Sequence, residues 1–125
     1  MIFIFGGRCQ GKLTFAREKF GKGLTVCSLK ETSIKDAFSF DIVTNIEDGI
    51  RELLKNGEKP AEFFEANSEC FADKIIIGNE IGCGIVPIDE FERLWRDETG
   101  WFYQMLCKNA DEVYRVWAGI GKKHE

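Results

Sequence analysis

The sequence predicts an α/β fold: a mostly parallel sheet with helices packed on both faces. Three observations carry this reading. Short apolar runs alternate with segments of helical periodicity along the chain. The strongest runs, MIFIF and KIIIGN, are continuously apolar, as expected of strands covered on both sides. A glycine-rich turn joins the first run directly to a helical pattern.

Residues 1–5 are the first strand. From Lys12 to Phe20, apolar Leu13, Ala16 and Phe20 fall at helical spacing, and Gly21 and Gly23 stop the helix. LTVCS (24–28) is a short second strand, and FSFDIV (38–43) a third that closes near Thr44 and Asn45. In IEDGIRELLKNG, Ile46, Ile50, Leu53 and Leu54 line one helix face, and Gly57 ends it. Pro60 suits the first turn of another helix, PAEFFEANSECFA (60–72). KIIIGN (74–79) is the central strand. After GCGIVP, a long helix carries Ile88, Phe91, Leu94, Trp95, Phe102, Met105 and Leu106 at helical spacing. EVYRVWAG (112–119) is the last of about five strands, and GKKHE reads as a polar tail. With no repeat or linker, the 125 residues are expected to form a single domain, 1–125.

Composition excludes several classes. Apolar residues make up 44% and charged residues 30%, the balance of a soluble globular protein. The net charge of −4, from 17 basic and 21 acidic residues, argues against a broad nucleic-acid or anionic-membrane surface. No apolar run is long enough to span a bilayer, and MIFIF lacks a basic leader, so it reads as a strand and not a signal peptide. Cys9, Cys27, Cys70, Cys83 and Cys107 include no CxxC pair and read as reduced thiols of a cytoplasmic protein.

The turn itself carries chemistry. Gly6, Gly11 and Lys12 satisfy GxxxxGK, the spacing of a phosphate-binding (Walker A) loop. A strand before it and a helix after it are the context that motif needs, because backbone N–H groups must meet phosphates at a helix N-terminus. This refines the fold expectation to a P-loop NTPase-like three-layer sandwich. The phosphates are expected against Gly6, Gly7, Arg8, Cys9, Gln10, Gly11, Lys12, Leu13 and Thr14, with Lys12 reaching the terminal ones as a point charge. A plain glycine turn with a solvated lysine is the competing reading. Leu13 stands where a magnesium-binding hydroxyl normally follows the lysine. Thr14, the weak substitute, lies about 100° further round the helix.

The second half bears a resemblance. The runs IIIGNEIGCGIVP, FERLWRDETGWFYQ and ADEVYRVWAGI, together with GGRCQGKLTFA, resemble the adenosylcobinamide kinase/adenosylcobinamide-phosphate guanylyltransferase family of cobalamin biosynthesis. The matching positions are Asn79, Glu80, Ile81 and Gly82; Gly84 to Pro87; Arg96, Asp97, Gly100 and Gln104; and Ala110 to Tyr114 with Ala118 and Gly119. The resemblance implies ATP or GTP as the bound nucleotide, magnesium with it, adenosylcobinamide (a corrinoid) as acceptor, and a homo-oligomer, a trimer in relatives. It places Asn79 with the nucleotide, Glu80 in the site at the carboxyl edge of the central strand, and Asp41 loosely at a strand-ending aspartate. Lys12, Glu80 and Asp41 are therefore the catalytic candidates, and Thr14 and Asp41 the metal candidates; for Asp41 a turn carboxylate is an equal alternative. Arg96 and Asp97 read as a surface or inter-subunit pair, and Phe91, Trp95 and Phe102 as core or subunit contact.

The chain departs from that family in its middle. The guanylyl transfer of the family uses a histidine nucleophile after the second strand. The corresponding stretch here, SLKETSIKDAFSFDIVT, has none. The sole histidine, His124, sits next to the last residue and reads as a solvated tail group. Without an imidazole no guanylyl-histidine intermediate forms. Three readings result: a nucleotide-dependent kinase-like protein without the guanylyltransferase half, a non-catalytic nucleotide-binding or regulatory relative, and a remnant whose loop binds nothing.

Overall fold

A computed structural model describes residues 1–8, 10–81 and 89–124. In chain order these form β1 (Ile2–Gly6), α1 (Lys12–Phe20), β2 (Val26–Ser28), a 3-10 turn (Ile34–Ser39), β3 (Ile42–Thr44), α2 (Ile46–Lys55), α3 (Pro60–Ala66), α4 (Ser68–Phe71), β4 (Ile75–Asn79), α5 (Glu90–Asn109), β5 (Glu112–Trp117) and β6 (Ile120–His124). The sheet order is β2-β3-β4-β1-β5-β6. All pairs are parallel except β5 with β6. The expected α/β architecture is therefore present, a P-loop NTPase-like mostly parallel sheet, with one antiparallel edge strand added.

Strand alternation divides the core in two. Ile4, Ile42, Ile75, Ile77, Tyr114 and Val116 point to the face that α1 covers through Ala16. Phe3, Val43 and Ile76 point to the other face, where they meet Ile46, Ile50 and Leu53 of α2, Phe64 of α3, Phe71 of α4, and Phe102 and Leu106 of α5. Burial on both faces explains why β1 and β4 are apolar without interruption.

Three elements differ from expectation. FSFDIV does not form a strand from residue 38: Phe38 lies in the 3-10 turn, Phe38 and Phe40 pack against the core, and β3 starts only at Ile42. The helix expected over 60–72 is two helices divided at Asn67, whose side-chain amide donates back to the Phe63 carbonyl (2.9 Å) and competes with helix continuation. GKKHE is not a tail. Four of its residues belong to β6, joined to β5 by the two-residue turn Ala118–Gly119, with φ of 49° and 78°. Positive φ at both positions is the type I′ geometry that matches hairpin twist. The polar composition of this edge strand hides it from periodicity.

Gly6 is fixed by a close approach. A Cβ there would lie inside contact distance of the Val116 carbonyl on neighbouring β5, a backbone atom that cannot rotate away. Gly6→Ala is expected to destabilise the fold by about 1–3 kcal/mol, measured as a lower urea midpoint at unchanged slope.

Candidate functional site

The carboxyl ends of β3, β4 and β1 lie side by side, and Gly6 and Asn79 are partners in register at the top of the sheet. The glycine loop leaves from Gly6 and enters α1 at Lys12, with Gly11 at the helix N-cap in the left-handed region (φ 83°) that glycine adopts without strain. Beside it is a cleft of about 270 Å³ lined by Gln10, Gly11, Lys12, Leu13, Thr14, Thr44, Asn45, Ile77 and Asn79. Lys12 is only 8% exposed, and its ammonium donates to the Gly7 carbonyl at 2.6 Å. The loop thus curls around its own lysine while α1 points its N-terminal turn at the cleft. A helix N-terminus with a lysine at its first position is suited to an anion.

Asn79 is locked from below. Its backbone N–H and its side-chain amide both donate to the Glu47 carboxylate, at 3.1 and 2.7 Å. The Tyr103 hydroxyl donates to the Asn79 carbonyl at 2.6 Å, and the Trp95 indole N–H to the Glu47 carbonyl at 2.8 Å. Glu47 is 3% exposed, and the two Asn79 N–H groups give its carboxylate donors in place of water. Burial first, then the Glu47 charge, push the Tyr103 hydroxyl far above its ordinary pKa, which keeps it a donor. On the β3 side, the Asn45 amide donates to Ser28 (2.7 Å) and Thr44 (3.3 Å), and the Thr44 hydroxyl donates to the Cys27 carbonyl (3.2 Å). Residues 44, 45, 47, 95 and 103 were not expected at a site. Their sequence signals are slight: Thr44–Asn45 ends a strand, Glu47 opens a helix, and Trp95 and Tyr103 lie within the run FERLWRDETGWFYQ.

The expected residues divide. Gln10, Gly11, Lys12, Leu13, Thr14 and Asn79 share the cleft, Gly6 and Gly7 form its loop, and Arg8 is exposed on that loop. Cys9, Gly82, Cys83, Gly84 to Pro87 and Ile88 lie outside the described residues. Asp41 is not brought to the site. Because β3 begins after it, Asp41 sits at the amino edge of the sheet, where its carboxylate accepts from the backbone N–H (2.9 Å) and hydroxyl (3.0 Å) of Thr25. Glu80 lies at the correct edge, with its N–H on the Gly6 carbonyl (2.8 Å), but its carboxylate turns toward β5 and pairs with Arg115 at 3.0 Å. Phe102 is core, while Phe91 and Trp95 flank the Arg51 guanidinium at 5.8 and 4.1 Å. His124 is on β6, opposite Val113 and 5.5 Å from the Phe5 ring, at the end of the hairpin far from the turn.

Of the two metal candidates, Thr14 lines the cleft and Asp41 does not. Among the described residues no carboxylate lines the cleft, and Leu13 offers no oxygen and packs with the apolar cluster around Ile4 and Ala16. Among the described residues no group of three or more His, Cys, Asp or Glu side chains is placed to hold a metal. No described helix is long and apolar enough to cross a membrane.

Comparison with known families matches residues 42–123 to CobU, described as cobinamide kinase / cobinamide phosphate guanyltransferase. The chain belongs to this family. Among curated proteins it is similar to the bifunctional adenosylcobalamin biosynthesis protein CobU of Salmonella typhimurium, 43% identical over 58 residues that cover 46% of this chain and 32% of that protein. It is also similar to its namesake in Escherichia coli, 41% identical over the same shares. The bifunctional adenosylcobalamin biosynthesis protein CobP of Pseudomonas aeruginosa is 35% identical over 45% of this chain and 35% of its own length. The chain thus matches about a third of the length of these CobU and CobP relatives.

Two outcomes test this description. Glu47→Gln replaces one acceptor oxygen by a donor and leaves one of the two Asn79 N–H groups unpaired; a stability loss of about 1–3 kcal/mol is expected in urea unfolding. Thr25 hydrogen bonds, the backbone one first, hold the Asp41 carboxyl below its ordinary pKa. A folded-state pKa lowered in this way adds stability above the unfolded value, near pH ~4, and that contribution disappears as pH falls through the folded value. Thermal unfolding of wild type and Asp41→Asn should therefore differ at neutral pH and converge in acid.

Proposed function

We propose that this CobU-family chain is one nucleotide-binding domain that holds ATP or GTP by its phosphates in the loop from Gly6 to Thr14. In this reading it serves as a cytoplasmic, kinase-like protein of cobalamin biosynthesis or salvage without the guanylyltransferase half. The observation that carries it is the cleft at the start of α1, where a glycine loop, a nearly buried Lys12 and the orienting Asn79 converge. Phosphates would meet backbone N–H groups and the Lys12 ammonium there, and Thr14 and Asn79 would supply neutral hydrogen bonds. The acceptor, by family membership, is a corrinoid hydroxyl. In the transfer that hydroxyl's oxygen bonds the terminal phosphorus as the bond to the leaving diphosphate breaks, and its proton leaves to solvent or phosphate. The absence of any histidine other than His124, which is on the edge hairpin, supports loss of guanylyl transfer. A homo-oligomer belongs to the same reading, since a neighbouring copy would cover Trp117 and Ile120, 73% and 71% exposed.

Leu13 favours a second reading, non-catalytic nucleotide binding. Phosphoryl transfer relies on a metal to neutralise the developing charge, and the described cleft-lining residues offer it a leucine in place of the hydroxyl after Lys12 and no carboxylate.

Calorimetry with ATP and GTP, with and without magnesium, tests both. Wild type is expected to bind nucleotide with a magnesium gain under about 1.4 kcal/mol, or tenfold, and Lys12→Ala to abolish binding. Leu13→Ser is expected to enlarge the magnesium gain. Binding unaffected by Lys12→Ala means the phosphates are elsewhere. Phosphate transfer to adenosylcobinamide selects the kinase reading, and binding without transfer the non-catalytic one.

A further inference from the structure

The glycine loop is fastened at its crest to the β5–β6 turn. The Gln10 side-chain oxygen accepts from the Ala118 N–H at 2.6 Å, and the Gln10 backbone carbonyl accepts from the Gly119 N–H at 2.8 Å. Next to this clasp, a Cβ on Gly11 would come within 3.3 Å of the Gly119 Cα, so loop and turn are in backbone contact. Ala118 holds φ 49°, a left-handed conformation that a residue with a Cβ rarely adopts. Such a conformation persists where its surroundings enforce it, and the Gln10 oxygen is the group that captures its N–H.

We propose that Gln10 is a positioning residue. It acts on a bound phosphate through the hairpin turn and not by touching the ligand, so that occupancy of the loop and order of the hairpin are coupled. This rests on the phosphate-binding reading above. The side-chain acceptor holds Ala118 in its strained turn; the turn then presents the Gly119 N–H to the Gln10 carbonyl and fixes the loop at residue 10, just before α1 begins. Trp117 and Ile120, cross-strand partners immediately flanking the turn, move with it. Coupling of this kind is reciprocal: a ligand that orders the loop must order the hairpin by the same factor.

The test uses pyrophosphate, ATP and GTP as probes, with calorimetry for binding and amide hydrogen exchange at Ala118 and Gly119 for the hairpin. Gln10→Ala is expected to speed exchange at Ala118 and to weaken pyrophosphate and ATP binding by about fivefold or more. Adding Ala118→Gly to that variant should restore affinity, because glycine adopts the turn unaided and the backbone bond from residue 119 to residue 10 remains. Each probe should slow hairpin exchange in wild type. Unchanged affinity in Gln10→Ala alongside fast Ala118 exchange overturns the positioning role and leaves nucleotide binding standing. Failure of Ala118→Gly to rescue also overturns it, since Gln10 would then contact the ligand itself. Wild type that binds none of the three probes overturns both readings.

Discussion

The double pairing of β1 is the constraint on which the cleft depends. Hydrogen-bonded to β4 on one side and β5 on the other, β1 has no freedom to shift along its own axis without breaking two ladders. Its last residue, Gly6, is wedged against the Val116 carbonyl and bonded to Glu80. The loop therefore departs from a fixed point, and α1 begins at a fixed distance beyond it. An anion site built from backbone N–H groups requires this, because groups without rotatable side chains are aimed only by the chain that carries them.

Around this point the chain places a buried carboxylate where an apolar residue would have served for packing alone. Glu47 joins three elements: α2, which carries it; β4, through Asn79; and α5, through Trp95. Tyr103 closes the arrangement onto the Asn79 carbonyl. A buried charge of this kind is costly unless every acceptor site is filled. Its value lies in direction: it leaves Asn79 a single orientation at the mouth of the cleft. Arg51, paired with Glu92 and stacked on Trp95, extends the same fixing to the start of α5.

The architecture was readable where periodicity is long or burial complete. β1, β4, α1, α2 and α5 follow from their apolar patterns, and the loop from glycine and lysine spacing. Misreadings have physical causes. Phe38 and Phe40 have the look of strand residues but are anchors for a 3-10 turn, and the later start of β3 moves Asp41 from one edge of the sheet to the other. Glu47 was invisible because an acid in the first turn of a helix has the same signature whether it is solvated or buried; its neighbour Asp48 satisfies the same rule. Asn79 and Glu80 adjoin in sequence, but strand alternation sends their side chains to different partners, Glu47 and Arg115. Family membership is carried by residues 42–123, whereas the loop precedes that span.

The hairpin has one more effect, on the company the protein keeps. A parallel sheet that ended at β5 would expose a six-residue strand rich in Val, Tyr and Trp, an open template for another chain. β6 covers that edge and replaces it with one bearing Lys122 and Lys123, while the opposite edge, β2, is only three residues long. Neither border of the sheet invites a further strand, and the hairpin whose turn touches the glycine loop also closes the sheet's longer edge.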